Sequence, residues 1–397
     1  MSCFQFSSQF NVRLPNDHFS IATADAIVRN PHLVDLRCLH CATSYSLSAV
    51  HAGCPACRAQ GRYVSLCANY VQDGSATHLP YTHGMYLGEG DTPLTSVPEL
   101  AALSGVGQLH IKDESANPTG SHKDRMSAVG VSHALESGAH SIVLASSGNA
   151  AVSAARYAQA AGLACEVATY DGLPAAYAAE LDAYGAALFT FADNAGRWNF
   201  VRERAAMLGY FALTNYHLPA LGSAPLAIEG YKNIAYECQA DGYVPDHIMV
   251  PTARGDLAWG IYAGFADLLH AGRIQSLPKI WIVEPFARLS LVLQGGSLHG
   301  SYAGSTTQFS TAGNTVTYLQ WQAVHASAGG AVVVNDAAAQ AARKVLATHG
   351  IDAELCAAAA YAAVGQLRQQ NALCASDKAM CILTANSSKD PSCSATA

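Results

Sequence analysis

Charged side chains are scarce in this sequence. They form 13% of 397 residues, and the acidic excess leaves a formal net charge of −7. With no basic excess there is no reason to expect nucleic acid or an anionic membrane as a partner. No apolar run reaches the roughly 18 residues that a membrane-spanning helix needs. Residues Met1 to Asn11 lack a basic stretch leading into an apolar one, so no secretory signal is visible and a cytoplasmic location is expected. The twelve cysteines are therefore expected to be cytosolic thiols or metal ligands rather than a disulfide frame.

What is present is apolar and small. Half the residues are hydrophobic, and the chain is rich in Ala and Gly, as closely packed α/β layers require. The length suffices for two or three domains. From Ser141 onward, strand and helix patterns alternate: strands over 141–145, 164–169, 187–191 and 211–214, helices over 149–162, 175–184 and 197–208. Short loops between them argue for a parallel, doubly wound sheet. Further strands are expected over 246–252, 279–284 and 379–383, and helices over 257–270, 337–349 and 352–371. Residues 67–90 read as a linker with turns, and 295–318, rich in Gly, Ser and Thr, as a mobile loop on the substrate side.

The most informative stretch is Lys112-Asp-Glu-Ser-Ala-Asn-Pro-Thr-Gly-Ser-His-Lys-Asp-Arg125. Gly120 permits a tight turn and Ser121 is a good N-cap, which would place Lys123 in the first turn of a helix. The helix dipole disfavours a cation there, so such an amine has a lowered pKa and suits Schiff-base chemistry. The plain alternative is a solvated surface lysine. Upstream, Cys38-Leu-His-Cys41 and Cys54-Pro-Ala-Cys57 form two pairs a hairpin apart. Four thiolates at this spacing read as a structural zinc site, with His40 and His51 near enough to replace a ligand; the alternative is four free thiols.

Three later segments add to this. Ser146-Ser-Gly-Asn-Ala150 joins a strand end to a helix start, where free N–H groups accept a carboxylate or phosphate. Ala253-Arg-Gly-Asp256, followed by Leu257, occupies a similar turn after the 246–252 strand. Thr384 closes the last strand, ahead of Lys389-Asp-Pro391.

The lysine stretch resembles the threonine synthases, fold-type-II pyridoxal-phosphate (PLP) enzymes that read Asn-Pro-Thr-Gly-Ser-Phe-Lys-Asp-Arg. Only His122 departs, standing where the family has Phe. Gly88-Glu-Gly-Asp-Thr-Pro-Leu94 is similar to the segment that opens the family's catalytic body, and many relatives begin with a cysteine-pair module. The resemblance runs from about residue 36 to 392. It implies that Lys123 carries PLP as a Schiff base, that Asn149 contacts the ring oxygen, and that Ala253, Arg254, Gly255, Asp256 and Leu257 hold the phosphate. It implies that Thr384 faces the pyridine nitrogen and that Ser146, Ser147, Gly148, Asn149 and Ala150 bind the substrate carboxylate. Cys38, Cys41, Cys54 and Cys57 would hold structural Zn2+.

The implied fold is α/β: two doubly wound domains with an N-terminal zinc-ribbon-like module. The expected boundaries are an extension over 1–33, the module over 34–66, a large PLP domain over 85–130 and 220–397, and a small domain over 131–219. The family is commonly dimeric, so a homodimer is expected, with a small amino acid as substrate and no nucleic acid or membrane partner. The implied chemistry is threonine-synthase-like: the freed Lys123 amine removes the Cα proton, a leaving group departs and a nucleophile adds. Threonine synthases act on O-phosphohomoserine and water.

Several departures point to a divergent relative. Ala150 replaces a Thr. Arg254 and Asp256 break the Gly- and Asn-rich phosphate loop, Arg254 either reaching the phosphate or pointing to solvent. Ala227 stands where the family's substrate-phosphate Arg would be. Glu354-Leu-Cys-Ala-Ala358 matches Glu-Pro-Ala-Ser-Ala poorly. Two other readings therefore stand beside threonine synthase: a β-replacement synthase of the cysteine or cysteate kind acting on an O-activated serine, and a non-catalytic protein that binds partners through its zinc module.

Overall fold

The computed structural model describes residues 27–48, 53–71, 74–75 and 77–390. The Pro15-Asn16-Asp17 turn, His51 and Pro391 lie outside these residues. Near the start, β1 (Leu33–Cys38), β2 (Ser44–Tyr45) and β3 (Leu66–Tyr70) pair antiparallel in the order β2-β1-β3. Their core holds Leu36, Val64, Leu66 and three of the cysteines, and closes over Leu226 from the rest of the molecule. So few apolar residues do not make a self-sufficient core.

The chain then enters β4 (Leu94–Ser96) and β5 (Gln108–Asp113), and passes through α1 (Lys123–Glu136) into a second sheet. That sheet alternates β6 (Ser141–Ala145), α2 (Asn149–Ala160), β7 (Ala164–Tyr170), α3 (Ala175–Ala183), β8 (Ala187–Phe191), α4 (Asn194–Ala205) and β9 (Tyr210–Ala212). Its order is β8-β7-β6-β9, parallel throughout. The chain returns to the first sheet as β10 (His247–Pro251), α5 (Asp256–His270), β11 (Lys279–Glu284), α6 (Tyr318–Ala326), β12 (Gly330–Val333), α7 (Asp336–Thr348), α8 (Leu355–Gln369) and β13 (Lys378–Leu383). This six-stranded sheet has the order β12-β11-β10-β13-β5-β4, parallel except for the β4–β5 edge.

Side-chain alternation explains the layers. Ile248 and Val250 of β10 enter one core with Leu257 and Ile261 of α5, while Met249 enters another with Ala358 and Leu367 of α8. In β13, Met380 and Ile382 take the first side, and Ala379, Cys381 and Leu383 the second. Both faces are covered, so these strands are apolar from their second residues onward, as parallel sheets require. Lys123, Ser146, Arg254 and Thr384 all lie past the carboxyl ends of strands, where α/β sheets bind ligands.

One local expectation is corrected. Ser121 is not the N-cap of α1: His122 occupies that place in a helical conformation and makes no side-chain cap bond. Ser121 is instead fully buried in a bridge with Ala385, which ties the lysine turn to the end of β13. The charged residues around Lys123 are scaffold. Arg125 donates from Nε to Glu114 at 2.6 Å and from Nη1 to Glu237 at 2.6 Å, and Lys112 Nζ lies 2.6 Å from Glu237. Asp124 accepts from the Thr119 N–H and hydroxyl, both at 2.6 Å. The turn that presents Lys123 is thus fixed from both sides.

Candidate active site

A cavity of about 320 Å³ opens at the carboxyl ends of both sheets. It is lined by Lys123, Ser146, Ser147, Gly148, Asn149, Ala150, Ala253, Arg254, Gly255, Asp256, Leu257 and Thr384, so segments far apart in sequence converge on one space.

Lys123 is the first residue of α1. The hydrogen-bond partner of its Nζ is the Tyr231 hydroxyl, at 3.5 Å. Burial lowers its pKa, opposed by the charges of Asp256 and Glu354. His122 beside it is buried; its ring Nδ1 lies 3.1 Å from the Thr384 carbonyl, which also accepts the His122 backbone N–H at 3.0 Å. Burial, then the neighbouring Lys123 charge, holds the imidazole neutral, with a pKa well below the usual value. A neutral ring with that carbonyl as acceptor carries its proton on Nδ1.

The wall from the smaller sheet is the start of α2. Gly148 caps it with no side-chain bond; the Ala151 N–H is paired with the Gly148 carbonyl, while Asn149 and Ala150, whose N–H groups have no partner among the described residues, line the cavity. Asn149 accepts from the Tyr177 hydroxyl at 3.2 Å, while its buried Nδ2 makes no well-formed hydrogen bond among the described residues and lies beside Glu354, whose charged form it favours. The opposite wall is the start of α5. Gly255 caps it at φ 92°, again with no side-chain bond. Arg254, in the turn before it, does not point away into solvent: its guanidinium lies 5.5 Å from the Trp198 ring centre and its Nε is buried without a partner. Burial lowers its pKa. Asp256 accepts from the Ser223 hydroxyl at 2.6 Å.

The floor holds a pair that sequence reasoning missed. The Thr384 hydroxyl donates to Glu354 at 2.9 Å, and Ser310 donates to the other carboxylate oxygen at 3.4 Å. Burial pushes the Glu354 carboxyl up to about 7. Arg197, Trp198, Tyr170 and Asn194 from the smaller sheet also line the cavity, as do residues 309–313 of the Gly-, Ser- and Thr-rich loop. Ala227 does not: it is fully buried, close to where a side chain on Gly130 would be.

Outside the cavity, the four cysteine sulfurs lie within 4.8 Å of one another, with Cys38–Cys57 at 3.7 Å and Cys41–Cys54 at 3.6 Å. Metal–sulfur bonds of about 2.3 Å in a tetrahedron give sulfur separations near 3.8 Å, so the set has the dimensions of a four-thiolate metal site. His40 is engaged elsewhere, with Tyr318 and Arg62.

Comparison with known proteins agrees with this geometry. Residues 85–385 match the family described as pyridoxal-phosphate dependent enzyme. Threonine synthase of Methanosarcina acetivorans is 31% identical over 314 residues, covering 76% of each chain. Threonine synthase of Synechocystis is 31% identical over 337 residues, covering 80% of this chain and 83% of the relative. Among solved structures, maize serine racemase superposes with a TM-score of 0.64 at 20% identity, over 75% of this chain and 88% of that one. O-ureido-L-serine synthase does so at 0.61 and 22%, over 76% and 90%. The chain therefore belongs to the pyridoxal-phosphate dependent enzymes of fold type II, as a lyase of the threonine-synthase-like kind.

Proposed function

We propose that the chain catalyses elimination or replacement on an amino acid bearing an O-linked leaving group, with O-phosphohomoserine and water as the first pair to test. Its residues fit the family cofactor. Lys123 offers a buried amine with no hydrogen-bonded carboxylate among the described residues. The uncapped start of α5 and the Arg254 Nε, which has no partner among the described residues, suit a phosphate, and the Asn149 Nδ2 on the cavity wall beside Glu354 suits a ring oxygen. When bound, pyridoxal phosphate supplies a sink for the electrons of a Cα carbanion.

The chain's own residues do the rest. The start of α2, with Ser146 and Ser147, binds and orients the α-carboxylate. Lys123 Nζ takes the Cα proton, and its lowered pKa keeps more of the amine neutral and competent as a base near pH 7. Thr384, held by Glu354, would offer a hydroxyl rather than a carboxylate to the cofactor ring, a partner suited to elimination and replacement. Phe309 to Gly313 line the cavity between Gly148 at the start of α2 and the Ala253–Arg254 turn, and limit its access to water. The four cysteines hold Zn2+ as a structural ion.

The observation that carries this reading is the convergence of Lys123, two uncapped helix starts and Thr384 on one cavity. An absorbance spectrum of the purified protein, before and after borohydride, tests it. A visible band that borohydride fixes onto Lys123, and phosphate release from O-phosphohomoserine, are the expected results. A protein that takes up no chromophore from added PLP would sink the proposal. A second reading, β-replacement on an O-activated serine, draws support from Ala227, whose buried place leaves the cavity without the family's arginine. Product analysis with O-phosphoserine separates the two.

A further inference from the structure

We propose that Arg197 sets the substrate class by taking an anionic distal group, a phosphate ester or a carboxylate, on the amino acid bound in the cavity. This rests on the function proposed above and names the substrate side of the same site.

Of the charged side chains around the cavity, Lys123, Arg197 and Arg254 are basic; Asp256 and Glu354 are acidic. Asp256 is tied to Ser223, and Glu354 to Thr384 and Ser310. Neither arginine has a carboxylate within ion-pair distance among the described residues, and the charge of Arg197 disfavours the charged form of Arg254. The Asp256 charge offsets part of this at the half-buried Arg254, whereas the buried Arg197 has no acidic side chain acting on it, so its charge is unfavourable until an anion arrives. The proposed function brings two anions. The cofactor phosphate goes to the start of α5, where Arg254 precedes the helix; the α-carboxylate goes to the start of α2. Arg197 is left over.

Its setting is built to hold a guanidinium still. Arg197 lies in the first turn of α4 and is 6% exposed. The guanidinium stacks 4.1 Å from the Tyr170 ring centre. Its Nε donates to the Ala168 carbonyl at 3.1 Å and its Nη1 to Asn194 Oδ1 at 3.5 Å, while the Tyr170 hydroxyl donates to the same Asn194 oxygen at 2.6 Å. These bonds engage Nε fully and Nη1 at long range, both to neutral acceptors. A planar fork so placed is suited to a bidentate carboxylate or phosphate. A neutral ester would leave the charge buried and unmatched. Because Ala227 is sealed in the core, the cation for the leaving group comes from α4 in this chain, on the smaller sheet.

The test uses cofactor-saturated protein and follows the cofactor absorbance band during titration with matched serine and homoserine esters: O-phospho, O-succinyl and O-acetyl. The anionic esters are expected to bind at least tenfold more tightly than the acetyl esters, and the phospho and succinyl arms tell phosphate from carboxylate. Arg197→Met should lower the anionic-to-neutral affinity ratio at least tenfold, chiefly through weaker binding of the anionic esters, and Arg197→Lys should restore part of it. Added inorganic phosphate should compete with the anionic esters in the unaltered protein, which decides the matter should Arg197→Met fail to fold. Acetyl esters bound as tightly as anionic ones, a ratio unmoved by Arg197→Met, or no competition by phosphate would overturn the inference and leave the proposed function standing. No band shift with any of these amino acids would overturn the proposed function and the inference together.

Discussion

Glu354 is where a single residue most changes the view of this site. It is buried beneath Thr384, whose hydroxyl donates to it, and its carboxyl titrates near 7 because burial disfavours its charge. The folded chain therefore keeps a proton that the unfolded chain releases near 4.5. That contribution to stability is full below the unfolded value and is lost as pH rises through about 7. Glu354→Gln removes the titration and can still accept from Thr384. Relative to the unaltered protein it should gain on the order of 2 to 3 kcal/mol at pH 8 and nothing comparable at pH 4.5. Urea unfolding at both values, with cofactor saturating, measures the difference; equal offsets at the two pH values would refute it. Lys123 and Thr384 were readable from sequence because each sits in a dense run of matching neighbours. Glu354 was not: beside Leu355 and Cys356 its segment matched poorly, and an acid ahead of an Ala-rich helix looks like an ordinary helix start. Only β13 pairing beside α8 turns it into a partner of Thr384. Arg197 was hidden likewise, since nothing local tells a helix arginine that Tyr170 and a cavity lie against it.

At the level of elements, the start of α5 shows how neighbouring helices define a turn. Gly255 has φ 92°, a conformation that costs other residues about 1–2 kcal/mol. A Cβ there would also lie 2.4 Å from the Gln320 Cβ, 2.6 Å from its Cα and 2.9 Å from its backbone N, all in the first turn of α6. The Thr317 hydroxyl caps α6 at Gln320 and donates at 2.5 Å to the Arg254 carbonyl, so the helix and the turn are locked together. Gly255→Ala should therefore cost about 2–4 kcal/mol from the backbone and from overpacking, and should weaken cofactor binding at least tenfold by shifting the N–H groups of α5. Thermal unfolding and titration of the cofactor-free protein with PLP report the two effects. Unchanged affinity in a folded variant would show that this helix start is not the phosphate site. The helix itself was readable from its apolar pattern, as were the alternating strands, because helices cover both faces of the inner strands and leave them apolar; the exposed edge strand β8 was readable from its β-branched and aromatic residues. The approach of α6 was not, being a contact across more than sixty residues of chain. Nor was β3: residues 67–90 read as linker, and Leu66–Tyr70 becomes a strand through pairing with β1 rather than through any pattern of its own.

Across the whole molecule, a chain of contacts links the cysteine module to a wall of the cavity. The module core closes over Leu226, and Ser65 donates its hydroxyl to the Leu221 carbonyl. The Tyr63 N–H reaches His299 Nε2 at 3.4 Å, and His40 Nδ1 lies 3.3 Å from the Tyr318 hydroxyl. Tyr318 is the first residue of α6, and Thr317 before it holds the Arg254 carbonyl. A continuous set of contacts thus runs from the four thiols to the turn that faces the cavity. With the Zn2+ proposed above bound to its four thiols, a module with so small a core would depend on that ion for order, because metal binding supplies folding free energy directly. Stripping the metal, or replacing Cys54 and Cys57 with Ser, should then do more than loosen an appendage. It should free His40 and Tyr63, slacken the start of α6 and loosen the Arg254 turn. The expected result is a lower unfolding temperature together with a several-fold weaker affinity for PLP, both recovered when Zn2+ is returned to the stripped protein. Metal content, unfolding temperature and PLP titration measured on one preparation decide it. If stripped protein unfolds at a lower temperature yet binds PLP as before, the module stabilises the fold without reaching the cavity. If pure protein carries no metal at all, the four thiols hold the module through packing alone, and the coupling to Arg254 cannot depend on an ion.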